Sequence, residues 1–160
     1  MTVRIATFAL ASFVLAATAT AQSPVKWTAT AASDSAAPGA KTSVTLLASI
    51  GEGWHIYSLT QGPGGPMPSR ITLPTGQPFS IDGKIKASAP DVKLDQNFGI
   101  QVETYENKAE FTVPIKVKKS AKAGPQKVQI STRYQVCNAS MCLPPRTDMV
   151  TVDMGVTKNQ

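Results

Sequence analysis

The clearest indication of the fold lies at residues 127–137, which have the sequence Lys127-Val128-Gln129-Ile130-Ser131-Thr132-Arg133-Tyr134-Gln135-Val136-Cys137. Apolar or β-branched residues alternate here with polar ones over ten positions, a period typical of a half-buried β-strand. One face of this strand is expected to meet a core through Val128, Ile130, Thr132, Tyr134 and Val136. The opposite, wetter face is expected to carry Gln129, Ser131, Arg133, Gln135 and Cys137.

Short runs of the same kind recur along the chain between turn-forming residues, and no useful helical periodicity follows the N-terminal segment. The predicted strands are 25–31, 42–50, 54–59, 70–73, 84–88, 101–105, 110–118, 127–137 and 148–154. Two segments do not fit a strand: 61–69, which is rich in Pro and Gly and therefore a loop, and 90–99. The pattern predicts an all-β sandwich in one domain.

The N-terminus has the composition of an export signal. Arg4 precedes an apolar run, and Ala19-Thr20-Ala21 is a small-residue cleavage site. We therefore expect a signal peptide at 1–21, a mature domain at 22–160 and a periplasmic location. The apolar run is short for a bilayer, and no later stretch approaches the roughly 20 apolar residues of a membrane helix. No membrane span is expected.

The chain carries a formal net charge of +6, which raises the question of an acidic partner. Lys116 and Lys118 alternate with Ile115 and Val117, as expected of an edge strand that presents charge to water. No nucleic-acid motif or aromatic stacking platform accompanies the lysines. A nucleic-acid partner is therefore not expected.

The chain has two cysteines, Cys137 and Cys142, separated by four residues. An exported protein encounters conditions in which such a pair is bridged. A disulfide that closes so short a loop adds only about 2 kcal/mol to the stability of the folded protein, so the bridge would contribute little to holding the fold together. Its placement on the wetter face would leave it open to another thiol, which favours thiol–disulfide exchange.

Other roles for the pair remain possible on the residues alone. Exported proteins also use purely structural disulfides. A soft copper site could be assembled from the cysteines with Met141 and His55, but no ligand spacing beyond the pair supports it. No C-x-x-C motif at a helix start is present, so the thiols are expected to be near-ordinary. No cofactor or metal is expected.

Three motifs, in this order, resemble the N-terminal periplasmic domain family of the thiol reductase DsbD, also described as a disulfide bond corrector domain. They are Gly53-Trp54-His55-Ile56-Tyr57-Ser58, Tyr134-Gln135-x-Cys137 and Cys142-Leu143-Pro144-Pro145. The resemblance implies an immunoglobulin-like β-sandwich with a reversible disulfide across adjacent strands. It further implies that Cys142 forms the mixed disulfide with a partner and that Cys137 resolves it.

The resemblance also implies a cap over the disulfide, formed by the turn around Phe98, and a redox face beside it, formed by Tyr57 and His55. Phe98 matches a family phenylalanine that shields the disulfide, but Gln96 and Asn97 precede it where familiar members have acids, and the nearby acid is Asp95. Tyr57 matches the family's aromatic strand, whereas His55 occupies a position where tyrosine is familiar.

The sequence thus predicts a monomeric relay between a thioredoxin-like electron donor and exported protein acceptors, working through the Cys137–Cys142 disulfide. The alternative is a non-catalytic β-sandwich that binds a partner and contains a structural disulfide.

Overall fold

A computed structural model describes residues 23–95 and 98–158 of the protein. Within these ranges the chain forms thirteen β-strands and no helix. The strands are β1 (Val25–Ala31), β2 (Ser35–Ala36), β3 (Lys41–Ile50), β4 (His55–Tyr57), β5 (Arg70–Thr72), β6 (Phe79–Ile81), β7 (Lys86–Ala87), β8 (Asp91–Asp95), β9 (Ile100–Glu106), β10 (Lys108–Val117), β11 (Gly124–Tyr134), β12 (Val136–Cys137) and β13 (Arg146–Val156). The predicted all-β class is confirmed. The expected signal peptide at 1–21 lies outside the described residues.

The strands form three sheets. The first has the order β1-β3-β10-β6, with β7 also paired to β10, and the second has the order β2-β13-β11-β5. Their inner faces share one apolar core, in which Trp27 of β1 lies 5.6 Å from Tyr134 of β11 between ring centroids. This is the packing of a β-sandwich.

The third sheet is smaller and has the order β12-β4-β9-β8. One of its faces contributes Ile56, Tyr105 and Val136 to the main core. Its other face forms a separate small cluster of Tyr57, Val102 and Cys137, with Ile100 packed against it. The third sheet therefore carries the first cysteine on the side turned away from the main core.

The alternation predicted for 127–137 is confirmed up to Val136 and wrong at Cys137. Val128, Ile130, Thr132, Tyr134 and Val136 are all buried. Cys137 does lie on the opposite face, but that face is covered, and the residue is only 1% exposed. The reason is that β11 ends at Tyr134 and the chain enters the third sheet at Val136, where Tyr57 of β4 and Val102 and Ile100 of β9 pack against Cys137.

The expectation that segment 90–99 contains no strand is wrong for Asp91–Asp95. These five residues pair with β9 along their whole length as β8. The apolar side chains of β8, Val92 and Leu94, remain exposed. Strand pairing rather than burial therefore defines β8. The loop expected at 61–69 is confirmed, because no strand forms there.

The edge-strand assignment of the lysine-bearing segment is also wrong. Lys116 of β10 pairs with Lys41 of β3 on one side and with Ser80 of β6 on the other. The alternation itself holds, since Ile115 and Val117 are fully buried. β6, which the sequence pattern does not predict, supplies the second neighbour.

Candidate functional site

Cys137 and Cys142 form a disulfide across a tight antiparallel hairpin, with their Cα atoms 4.0 Å apart. Two backbone hydrogen bonds flank the pair, from Asn138 N–H to the Met141 carbonyl and from Leu143 N–H to the Val136 carbonyl, each 2.9 Å. This is the pattern of a non-hydrogen-bonded antiparallel pair, in which facing side chains are closest. The hairpin itself thus places the two sulfurs side by side.

Asn138 shapes the loop between the cysteines. Its Oδ1 accepts hydrogen bonds from the backbone N–H groups of Ser140 and Met141, both at 2.9 Å. Such an Asx turn lets a short loop reverse direction, and asparagine is favoured in turns for this reason. Asn138 was not among the residues predicted from the sequence, although an asparagine directly after the first cysteine is a usable turn signal.

The two halves of the disulfide differ in their access to water. Cys137 is buried against Tyr57, Val102 and Ile100. Cys142 is exposed. The prolines that follow it, Pro144 and Pro145, are exposed as well and lie between β12 and β13. A thiol arriving from solution therefore meets Cys142 rather than Cys137.

His55 and Tyr57 of β4 belong to the same face of the third sheet as Cys137. In the register of β12 with β4, Cys137 lies directly opposite His55. His55 Nε2 is 3.2 Å from Tyr57 Oη, and the two rings meet edge to face with centroids 5.2 Å apart. Ile56, on the other side of β4, is in the main core.

Burial shifts the pKa values of both His55 and Tyr57. Desolvation lowers the pKa of His55 below its usual value, and the positive charge of Lys93 lowers it further, against opposing effects of Glu106 and Asp95. Desolvation also raises the pKa of Tyr57 to about 12, helped by the charge of Asp95 and a hydrogen bond to it. At neutral pH the site therefore holds a neutral imidazole and a protonated phenol.

A pocket of about 300 Å³ lies beside the disulfide. Charged groups of β8 and β9 line it together with His55, and Lys93 and Glu106 form an ion pair across the two strands. The hydrogen bond to Lys93 lowers the pKa of Glu106. The remaining lining residues include Gly53, Asp95, Asn138 and Ala139. Lys93 and Glu106 were missed because they reach His55 only through the pairing of β8, β9 and β4.

Phe98 lies in the turn between β8 and β9 and is 41% exposed, so it is not a core side chain. Its backbone N–H donates to Asp95 Oδ1 at 3.3 Å, and Gly99 N–H donates to the Asp95 carbonyl at 2.7 Å. Gly99 has φ +65°, a left-handed conformation that suits glycine. Gln96 and Asn97, expected to belong to the cap, lie outside the described residues.

Membrane-spanning helices and clustered metal ligands are both absent from residues 23–95 and 98–158. No helix there is long and apolar enough to cross a membrane. No group of three or more His, Cys, Asp or Glu side chains there is arranged to hold a metal ion.

Solved structures share this fold. The N-terminal domain of DsbD from Neisseria meningitidis, in the reduced form, superposes with a TM-score of 0.52 at 18% identity, covering 81% of this chain and 85% of that one. The N-terminal periplasmic domain of ScsB from Proteus mirabilis gives 0.54 at 18% identity, covering 84% of this chain and 47% of that one. The immunoglobulin-like sandwich implied by the resemblance is confirmed.

No curated protein sequence gave a significant match. The family model described as "Thiol:disulfide interchange protein DsbD, N-terminal" matches residues 21–154, which include both cysteines, the β4 strand and the Phe98 turn. The chain belongs to the family of DsbD N-terminal domains.

Proposed function

We propose that this protein is a thiol–disulfide exchange protein that cycles the Cys137–Cys142 disulfide between oxidised and dithiol forms. The observation that carries the proposal is the asymmetry of the pair, with Cys142 exposed and Cys137 buried beside it. Exchange needs one sulfur that a partner can reach and a second held within reach of the first. The hairpin supplies both, and membership of the DsbD N-terminal family fits this chemistry.

The reaction with an acceptor proceeds in two steps. The thiolate of Cys142 attacks one sulfur of the acceptor disulfide, forming a mixed disulfide and releasing the other acceptor sulfur as a thiolate. Cys137 then attacks Sγ of Cys142, closing the Cys137–Cys142 bond and releasing the second acceptor thiolate. Two electrons pass to the acceptor, and the two protons of the Cys137 and Cys142 thiols complete its dithiol.

The return of the disulfide to the dithiol requires an electron donor, for which we propose a thioredoxin-like protein. The acceptors would be exported proteins with disulfides. The signal-like segment at 1–21 supports a periplasmic location, as does the likeness to the ScsB domain, which is itself periplasmic.

Phe98 is proposed as a cap over the disulfide. Its exposure, its place in a turn ending at a left-handed glycine and its attachment to Asp95 are consistent with a side chain that can move without disturbing the core. Because Asp95 also binds Tyr57 of the redox face, the turn is tethered to the same face as Cys137.

Two measurements test the exchange function. The protein is equilibrated in redox buffers at periplasm-like poise, and its thiols are counted by alkylation and mass spectrometry. Interconversion there supports exchange, whereas a potential below about −300 mV would indicate the alternative, a structural bridge in a binding module.

The second measurement captures partners from the source cells without reductant. A Cys137→Ala variant should accumulate mixed disulfides through Cys142, because the resolving thiol is missing. The matched Cys142→Ala variant retains only the buried thiol and should capture few. Equal capture by both variants would contradict the assignment of Cys142 as the attacking residue.

A further inference from the structure

The burial of Cys137 creates a chemical requirement for the second step of exchange. Cys137 must attack as a thiolate, but apolar surroundings disfavour the thiolate relative to the thiol. Its neighbours Tyr57, Val102 and Ile100 make the surroundings largely apolar. Resolution at neutral pH is therefore helped by a base next to Cys137 that is itself unprotonated.

His55 is in the position for such a base. It lies directly opposite Cys137 in the β4–β12 register. Facing side chains of an antiparallel pair emerge on the same side, with Cβ atoms about 5 Å apart. The histidine is 9% exposed and is the single histidine of the chain.

The hydrogen bonds of β4 set the orientation of the imidazole proton. The Tyr57 hydroxyl, whose pKa is raised to about 12, keeps its proton and directs it to the Asp95 carboxylate. Tyr57 Oη is then the acceptor in its 3.2 Å contact with His55 Nε2, so Nε2 carries the hydrogen. The neutral imidazole accordingly has Nδ1 as its basic nitrogen.

The charges around His55 come from β8 and β9, since the β12 residues paired with β4, Val136 and Cys137, carry none. Lys93 and Asp95 belong to β8, and Glu106 belongs to β9, directly opposite His55 in register. Burial and Lys93 favour the neutral ring, and the two carboxylates partly oppose them. The pocket that these residues line opens to solvent beside the ring, which gives a proton taken up by His55 a route out.

We propose that His55 is the general base that accepts the proton of the Cys137 thiol as Cys137 attacks Sγ of Cys142 in the mixed disulfide. The inference rests on the proposed exchange function and deepens it. In this step the Cys137–Cys142 bond forms, the bond from Cys142 to the partner sulfur breaks, and the partner leaves as a thiolate. The proton moves from Cys137 to the imidazole and then to water through the pocket.

The test isolates this step with the chromogenic disulfide dithiobis-nitrobenzoate. Reduced protein releases a first nitrothiobenzoate when Cys142 attacks the reagent, in a second-order phase. A second equivalent is released when Cys137 resolves the mixed disulfide, in a first-order phase independent of reagent concentration. The first phase serves as an internal control, because it does not require Cys137.

In wild type the resolution rate should rise with pH through the titration of His55 and then level off. In His55→Gln, an amide that cannot take up the proton, the rate at neutral pH should fall about 100-fold. At higher pH the resolution rate of His55→Gln should increase with the hydroxide concentration until the Cys137 thiol is ionised. The first phase should keep its wild-type rate. In His55→Ala, added imidazole should restore resolution in proportion to its free base.

A measurement without substitution of His55 keeps the test valid if the variants fold poorly. In protein free of affinity-tag histidines, the one imidazole signal can be titrated by NMR in a stable mixed-disulfide analogue, Cys137→Ser joined through Cys142 to nitrothiobenzoate. The wild-type kinetic inflection should coincide with that titration.

The outcomes separate the two proposals. Two release phases with unchanged resolution in His55→Gln would overturn the role of His55 and leave the exchange function standing. A kinetic inflection that does not match the NMR titration would also overturn it. A wild-type protein that releases one equivalent and never resolves would refute the exchange function itself.

Discussion

The disulfide should contribute little to the stability of the fold. It closes a loop with a sequence separation of 5, for which the chain-entropy model gives about 2 kcal/mol. A domain of this size has a free energy of unfolding of about 5–15 kcal/mol, so most of the stability remains after reduction. Reduction should therefore lower the melting temperature by about 8 °C, at about 4 °C per kcal/mol.

A variant separates the bridge from the packing of the sulfur. Cys137 is buried and Cys142 is exposed, so the double change Cys137→Ala and Cys142→Ser removes the bridge without burying a hydroxyl. Loss of the Cys137 sulfur from its apolar cluster should add about 1 kcal/mol, as for one methylene. The variant should thus be about 3 kcal/mol less stable than oxidised wild type and about 1 kcal/mol less stable than reduced wild type.

The assay is urea unfolding followed by tryptophan fluorescence and circular dichroism, for oxidised wild type, reduced wild type and the variant. Phe111→Ala provides a core control, since Phe111 is fully buried and its truncation should cost about 3–5 kcal/mol. If reduced wild type is unfolded at room temperature, or loses as much free energy of unfolding as Phe111→Ala, the disulfide is required for the stability of the fold. The argument from loop length is then refuted.

Three further outcomes are expected. Phe98→Ala should speed reduction of the disulfide by glutathione several-fold at an unchanged equilibrium potential, because a lid affects both directions of exchange. Leu94→Ala, which truncates another exposed side chain of the same hairpin, should leave the rate of reduction unchanged. Equal rates for wild type and both variants would show that Phe98 is not a cap. Desolvation and Lys93 lower the pKa of His55 in the folded state, so the unfolded state binds more protons. The free energy of unfolding should therefore fall as pH decreases from about 6.5 through the folded pKa. If the difference in free energy of unfolding between wild type and His55→Gln does not change over this pH range, the assignment is contradicted. Tyr134→Phe should cost about 1.5–3 kcal/mol in urea unfolding, since the buried hydroxyl donates to the Asp148 carboxylate at 2.6 Å; an unchanged midpoint would show that this bond contributes nothing.

The sequence alone determined the features that depend on local pattern. Alternation along β11 and β10 identified which side chains are buried, because neighbouring residues of a strand point to opposite faces whatever the strand pairs with. The Pro and Gly content of 61–69 excluded a strand there for an equally local reason. The spacing of Cys137 and Cys142 and the flanking motifs identified the candidate site and its family.

The tertiary structure decided which faces are covered and which distant groups meet. β8 was not predictable from burial, since Val92 and Leu94 stay exposed and its position depends on pairing with β9. Cys137 is buried because β11 ends and β12 joins the third sheet. The strand face that the alternation assigns to solvent is there packed in the small cluster with Tyr57 and Val102. Lys93, Asp95 and Glu106 surround His55 through the same pairings. A periodic pattern specifies the two faces of a strand, but only the pairing of segments far apart in the chain specifies what each face meets.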